Sequence, residues 1–418
     1  MSTDVTGRRR PGNIVIILGF VCLLAGRFTL DRVGVDVPVL NDPRVALLWL
    51  LLVIVVIEGR RSRPVEQQPA RWNGLAIFLI FAFLAYQFLS ATWAPDGARL
   101  LRALMDNIVL ALLVAVYSFL ARWDRDRVVR VTMALFLGAG VVYFLAALSG
   151  YGHDPSGRWA ALGGGSNVFV RIMVLAGIAA LYFFVRSGSK AVFLLPLPVF
   201  AMGAVLSGSR GGLLAAAGIV VIAGAPYLFR LRAARVSSVA VPLALAAAGG
   251  WLLWGREVST AVRERLVGAT LEQGYLSGRD VLFRQAFDFF QREPVAGLGL
   301  DGFYATTRLD SGEQYAHNLP LAVAAEGGLI GLALLLGAVG ALLAAYRSVP
   351  RVHRSVESRV ALFGGLFVGL ASLFSGDYYD SRLMWIFLVL AATTGPRKPA
   401  AAPEAPQAQS TVAPGRRQ

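Results

Sequence analysis

The chain has 418 residues, 56% of them apolar and only 16% charged. Soluble domains carry about 25% charged residues and disorder needs low hydrophobicity, so the composition is that of a polytopic membrane protein. The formal net charge of +15 comes from 40 Lys and Arg against 25 Asp and Glu. It would suit a nucleic-acid binder, but in an apolar chain the charges must first be sorted by side of the membrane.

A helix needs about 20 mostly apolar residues to cross the hydrocarbon core. In chain order, twelve stretches are predicted as transmembrane helices: roughly 13–30, 44–57, 73–92, 106–121, 128–148, 167–185, 191–207, 211–229, 237–254, 318–346, 360–375 and 381–394. The second and eleventh are short. No small-residue cleavage pattern ends the first span, which runs into Arg27 and Asp31, so it is expected to stay as an anchor. Its one cysteine, Cys22, excludes an intramolecular disulfide and any thiolate metal cluster, and reads as a small core residue.

Basic residues set the orientation. With Arg8, Arg9 and Arg10 in the cytoplasm, alternation puts 24 of the 40 basic residues on that side and 18 of the 25 acidic ones on the other. The basic balance then records topology, and no nucleic acid is expected as a partner. Both termini are cytoplasmic in this scheme. The expected organisation is 1–254 with nine helices and short loops, 255–317 as a large outer loop, 318–395 with three more helices, and 396–418 as a disordered tail rich in Ala, Pro and Gln.

The outer loop carries two expected amphipathic helices, at 259–273 and from Ser277 to about Glu293, lying at the membrane interface. In the second, Phe283, Phe287 and Phe290 recur at i, i+4 and i+7 and predict one apolar stripe. Asp280 with Arg284, and Asp288 with Arg292, are spaced for ion pairs on its polar side.

Four short motifs on this side do not fit a plain helix bundle. Ser207-Gly208-Ser209-Arg210-Gly211-Gly212 is a polar break between two apolar spans. Its glycines permit backbone N–H groups to converge on an anion, and Arg210 offers a planar fork for phosphate oxygens. A simple bend with a snorkelling arginine accounts for the same residues. Ser277-Gly278-Arg279-Asp280 opens a helix, whose N-terminus is an anion seat that Arg279 would strengthen; a solvated Arg279–Asp280 pair is the bland alternative. In Tyr315-Ala316-His317-Asn318, His317 abuts the outer membrane face, and imidazole is the side chain best suited to general-base work near neutrality. A structural hydrogen-bonding histidine fits equally. Zinc is not expected, because no second histidine or thiolate sits at ligand spacing. Glu326-Gly327-Gly328 puts a carboxylate inside a span, with Arg171 or Arg210 as the expected partner or a wet cavity as the alternative. A further polar turn, Asp377, Tyr378, Tyr379, Asp380 and Arg382, could meet acceptor sugars or phosphates and is given no catalytic role.

Taken together, Ser209-Arg210-Gly211-Gly212, Ser277-Gly278-Arg279, His317-Asn318 and Glu326-Gly327-Gly328-Leu329-Ile330-Gly331 resemble the O-antigen ligase/polymerase superfamily. The stretch from Arg292-Glu293-Pro294 through Gly297-Leu298-Gly299 to Phe303 resembles that family's loop. The resemblance covers about 198–331. It implies an all-α polytopic membrane protein of the transferase-C type in the bacterial inner membrane, with its active site facing the periplasm. The implied reaction is metal- and cofactor-independent transfer of a glycan from undecaprenyl pyrophosphate to lipid A–core oligosaccharide, with inversion. By the same resemblance, Arg210 and Arg279 hold the pyrophosphate and His317 activates the acceptor. Ser209, Gly211, Gly278, Asn318, Glu326 and Arg284 are the expected substrate-binding residues beside them. Polymerases of the superfamily often show an arginine followed sixteen residues later by glycine. Here Val295 follows Arg279 and Leu300 follows Arg284 at that spacing, which favours a ligase. A repeat-unit polymerase, or a lipid-linked glycan flippase that merely binds pyrophosphate, are the alternatives.

Overall fold

The computed structural model describes residues 12–26, 42–61, 72–150, 157–162, 164–224, 279–307 and 315–393, with short pieces between 248 and 263. The 396–418 tail, the 259–273 helix beyond Arg263, the end of the span expected at 211–229 and most of that expected at 237–254 lie outside the described residues. Helices and turns make up the described chain, with one isolated bridge between Ala161 and Gly164 and no strand among the described residues. An apolar environment forces this choice, since a helix satisfies its own backbone polar groups where water is absent.

The principal helices are α1 (Asn13–Leu24), α2 (Pro43–Arg61), α3 (Asn73–Ser90), α4 (Leu100–Leu148), α5 (Ser166–Arg186), α6 (Leu197–Leu206), α7 (Arg210–Ile219), α8 (Arg279–Arg292), α9 (Gly302–Thr306), α10 (Leu319–Ser348), α11 (Val356–Ser372) and α12 (Arg382–Ala392). Among the described residues, four stretches are long and apolar enough to cross a membrane: 73–93, 100–148, 166–186 and 319–348. At 1.5 Å per residue, α4 would reach about 74 Å if straight, more than twice the ~30 Å hydrocarbon core. It breaks at Asp124 (φ −157°, ψ 76°), where the sequence reading placed a loop between two spans, and the Asp124 carboxylate accepts the Arg127 N–H at 3.1 Å.

The core is aromatic and runs across four helices. Phe20 of α1 meets Phe136 of α4 edge-on at 4.9 Å, Phe136 stacks on Phe387 of α12 at 5.6 Å, and Trp385 lies 6.0 Å from Phe83 of α3. Every residue of α12 is buried, which is what an all-round apolar helix needs. Cys22 is buried as a core residue.

Polar side chains gather the helix ends into two tiers. In the first, Arg127 donates to Asn13 at the start of α1 (2.7 Å), Arg125 to Ser355 before α11 (2.7 Å), and Arg186 pairs with Glu357 (3.0 Å). In the second, Tyr379 donates to the Gly26 carbonyl (2.7 Å) and accepts from Arg44, while Arg382 donates to the Leu23 carbonyl (2.7 Å). Arg44 also lies 3.8 Å from Asp106. Burial pushes the Tyr379 hydroxyl above the usual phenol range, so it stays a donor.

The face of α8 differs from the expected stripe. Leu282, Ala286 and Phe289 are the buried residues, against Ala316, Ala322 and Ala325, while Phe287 is exposed. Small side chains decide this: Ala286 on the alanines of α10 lets the two helices approach, where a phenyl ring would hold them apart. Asp280 and Arg284 do form their pair, at 3.8 Å, with Arg284 82% exposed.

Candidate active site

Arg210 opens α7 on a turn that is fixed in several ways. Gly208 takes φ +60°, a conformation glycine adopts without a steric penalty. Ser209 is the N-cap: its hydroxyl accepts from the Gly212 N–H (3.4 Å) and donates to Asn167 (2.7 Å), and its own N–H donates to Ser207 (3.1 Å). Arg158 donates to the Ser207 carbonyl at 3.1 Å and the Gly208 carbonyl at 3.4 Å. A second guanidinium therefore stands at this turn, one the sequence reading did not single out. Only the fold could reveal it, because Arg158 is 52 positions from Arg210 and carries no motif.

Gly211 and Gly212 serve close packing here. A Cβ on Gly211 would fall 2.2 Å from Phe374 Cβ, and one on Gly212 would fall 2.3 Å from Val170 Cγ1. The N-terminus of α7 thus seats directly on the turn that follows α11.

His317 reaches the same turn from the other side. Asn318 caps α10, accepting from the Leu321 N–H (3.0 Å), and its amide donates to the Leu373 carbonyl (2.9 Å). Leu373 and Phe374 are consecutive, so Arg210 and His317 each lie one residue from a group that packs on this turn. His317 itself holds φ +53°, rare for a residue with a Cβ, and its ring lies 4.3 Å from that of Tyr315. Such strain persists only where the surroundings over-determine it, and it clusters at functional sites. Arg171 of α5 completes the turn by donating to the Ser375 and Asp380 carbonyls.

Glu326 has a different partner from those expected. Its carboxylate accepts the Phe303 N–H at 3.3 Å, while Arg171 is engaged at the turn just described. The cause is a break in α10 at Gly328 (φ 61°, ψ −158°). Residues 294–299 run alongside the break and satisfy the released backbone: Leu298 N–H to Ala325 O (2.9 Å), Gly299 N–H to Glu326 O (2.9 Å), Leu329 N–H to Pro294 O (2.8 Å). Tyr86 of α3 places its hydroxyl 3.0 Å from the carbonyls of both Ala296 and Gly327. The two glycine motifs that stood out in the sequence are one docked unit, since a Cβ on Gly297 would lie 2.4 Å from the Glu326 carbonyl carbon.

Arg279 is the first residue of α8 and falls at i, i+3, i+7 and i+10 with the buried Leu282, Ala286 and Phe289. That stripe packs in one cluster with Ala316, the neighbour of His317. Arg284 points away on the exposed side. Gly278 lies outside the described residues.

A small open pocket lies beside Ala316, walled by the carboxyl groups of Asp106, Asp301, Glu326 and Asp377 and by Arg99 and Arg102. Arg99 locks its rim: it donates to both carboxylate oxygens of Asp301 at 2.9 Å and stacks 3.4 Å over the Tyr304 ring. Among these, the sequence reading noted Glu326 and Asp377. It missed Asp301, which comes from the loop before α9, and Arg99, Arg102 and Asp106, which share one face at the start of α4 at i, i+3 and i+7, a helical spacing that could have grouped them.

Residues 191–336 match the family model described as O-antigen ligase, a segment of about a third of the chain that contains Arg210, Arg279, His317 and Glu326. No curated protein matches the sequence. The family comprises ligases and polymerases that act as glycosyltransferases on lipid-linked glycans. A helical, apolar chain with cationic and imidazole groups drawn to one turn is what such chemistry needs, and residues 191–336 of this membrane protein are similar to the O-antigen ligase family.

Proposed function

We propose that the protein is an O-antigen ligase that moves a glycan from undecaprenyl pyrophosphate to lipid A–core oligosaccharide at the periplasmic face of the inner membrane. The observation that carries this is the meeting of the Arg210 and His317 segments on the 373–375 turn, within a chain whose matched segment contains both. His317 takes the proton from the acceptor hydroxyl as its oxygen attacks the anomeric carbon. The bond from that carbon to the pyrophosphate oxygen breaks, and the charge that develops on the leaving group is held by Arg210 and Arg279. Attack opposite the leaving group inverts the anomeric configuration. No metal or cofactor enters the scheme. Ser209, Gly211, Gly278, Asn318 and Glu326 line or support the substrates, Arg284 on the exposed side of its helix does not, and membrane lipids surround the helices.

The test is a transfer assay with the full chain in detergent, an undecaprenyl-pyrophosphate-linked glycan and lipid A–core, and no added metal. A shift of the lipid A–core band by the donor glycan is expected, and its loss in His317→Ala. A ladder growing on the undecaprenyl carrier and indifferent to lipid A–core would make the protein a polymerase. Binding without any product would make it a flippase.

A further inference from the structure

We infer that Arg171 is a positioning residue of the transfer site: its fork clamps the turn between α11 and α12 on which the Arg210 and His317 segments are both aligned. The inference rests on the ligase reading above. Arg171 and this turn lie outside the matched segment, 191–336, so the family match gives them no role.

Burial argues first. Arg171 is 5% exposed in α5, a helix long and apolar enough to cross a membrane. A charge inside such a span is costly and needs fixed partners. Its two terminal nitrogens divide between the ends of the turn, Nη2 donating to the Ser375 carbonyl and Nη1 to the Asp380 carbonyl at 3.2 Å. Gly376 makes room for the fork: it takes φ +112°, and a Cβ there would fall 2.9 Å from Nη2. The turn is braced internally as well, the Asp377 carboxylate accepting the Asp380 N–H at 2.8 Å.

What rests on the turn supplies the second argument. α7 packs mainly on α11, and Gly211, beside Arg210, seats against Phe374. From the other side, the Asn318 amide, beside His317, donates to the Leu373 carbonyl at 2.9 Å. The placement of Arg210 relative to His317 is therefore transmitted through residues 373–375, and Arg171 holds those residues from α5. A misplacement of about 1 Å in such an alignment can cost about 10²-fold in rate. Lysine is a poor substitute, because a point charge lacks the two diverging donors of the fork.

The experiment is the transfer assay with the full chain in detergent, run on Arg171→Lys and Arg171→Met, each alone and combined with His317→Ala. Arg171→Met is expected to lower kcat about 10²-fold, with KM for the donor within about threefold of the parent chain. Arg171→Lys should recover about a tenth of the parent rate. In the His317→Ala background either substitution is expected to change the residual rate by less than about threefold, because residues that act as one unit are not additive. A parental kcat in either folded variant, or a loss multiplied in full on top of His317→Ala, overturns the positioning role and leaves the ligase reading in place. Should Arg171→Met fail to fold, Arg171→Lys and its double variant decide alone. A ladder on the undecaprenyl carrier would remove the ligase reading, and the same rate ratios, read on the ladder, would still decide the role of Arg171. A wild-type chain that forms no product removes both.

Discussion

The two polar tiers are built from the same residue types and behave differently. In the first tier, arginines reach out over helix ends: Arg354 donates to the Val349 and Arg347 carbonyls, and Arg127 holds Asn13 in an exposed contact. In the second, Arg44, Asp106, Arg171, Asp377 and Arg382 are all buried, bonded to one another or to carbonyls that no helix uses. Exposed charges in water cost little and fix little. Buried ones are tolerable only with every partner in place, so the second tier holds a rigid geometry, while the first mixes the buried Arg125 and Glu357 with exposed contacts such as that of Arg127. The candidate active site sits in the rigid tier, where a transferase needs its charges positioned before the substrate arrives.

That contrast can be broken in stages. His317→Ala is expected to lower transfer by about 10²–10⁴-fold, the usual worth of a general base, with a melting profile like that of the parent chain; product formation and thermal melts check both. Arg44→Ala strands Asp42 and Asp106 and is expected to destabilise by about 3–5 kcal/mol, read as a lowered unfolding midpoint in detergent. Gly328→Ala meets both a φ of +61° and the Val295 carbonyl oxygen at 2.3 Å. It should cost at least about 1–3 kcal/mol and reduce transfer as residues 294–307 lose their register. Arg127→Ala, in the first tier, is expected to change stability by less than about 1 kcal/mol. An Arg127→Ala effect as large as that of Arg44→Ala would erase the distinction between the tiers.

Legibility in the sequence followed the range of the interaction. Apolar runs of the right length announced helices because the hydrocarbon core leaves the backbone no other choice, and the break near Asp124 was visible as a charged gap between two runs. Motif glycines marked the places where chains cross closely, but their partners were invisible: Gly211 against Phe374, and Gly297 against Glu326, join segments that share no periodicity. The face of α8 was misread for a related reason. Amphipathicity counts hydrophobic residues, whereas burial was settled by which of them was small enough to meet Ala322 and Ala325.

By itself the sequence determined that this is an α-helical membrane protein with a segment similar to the O-antigen ligase family, and with Arg210, Arg279 and His317 as its chemical candidates, because composition and local motifs are properties of contiguous residues. Only the tertiary structure decided that Glu326 bonds Phe303 and not an arginine, that Arg158 joins the Arg210 turn, and that Asp106, Asp301 and Asp377 wall one pocket beside Tyr315. Those are contacts between distant helices, and a desolvated charge takes whichever partner the packing brings within hydrogen-bond reach.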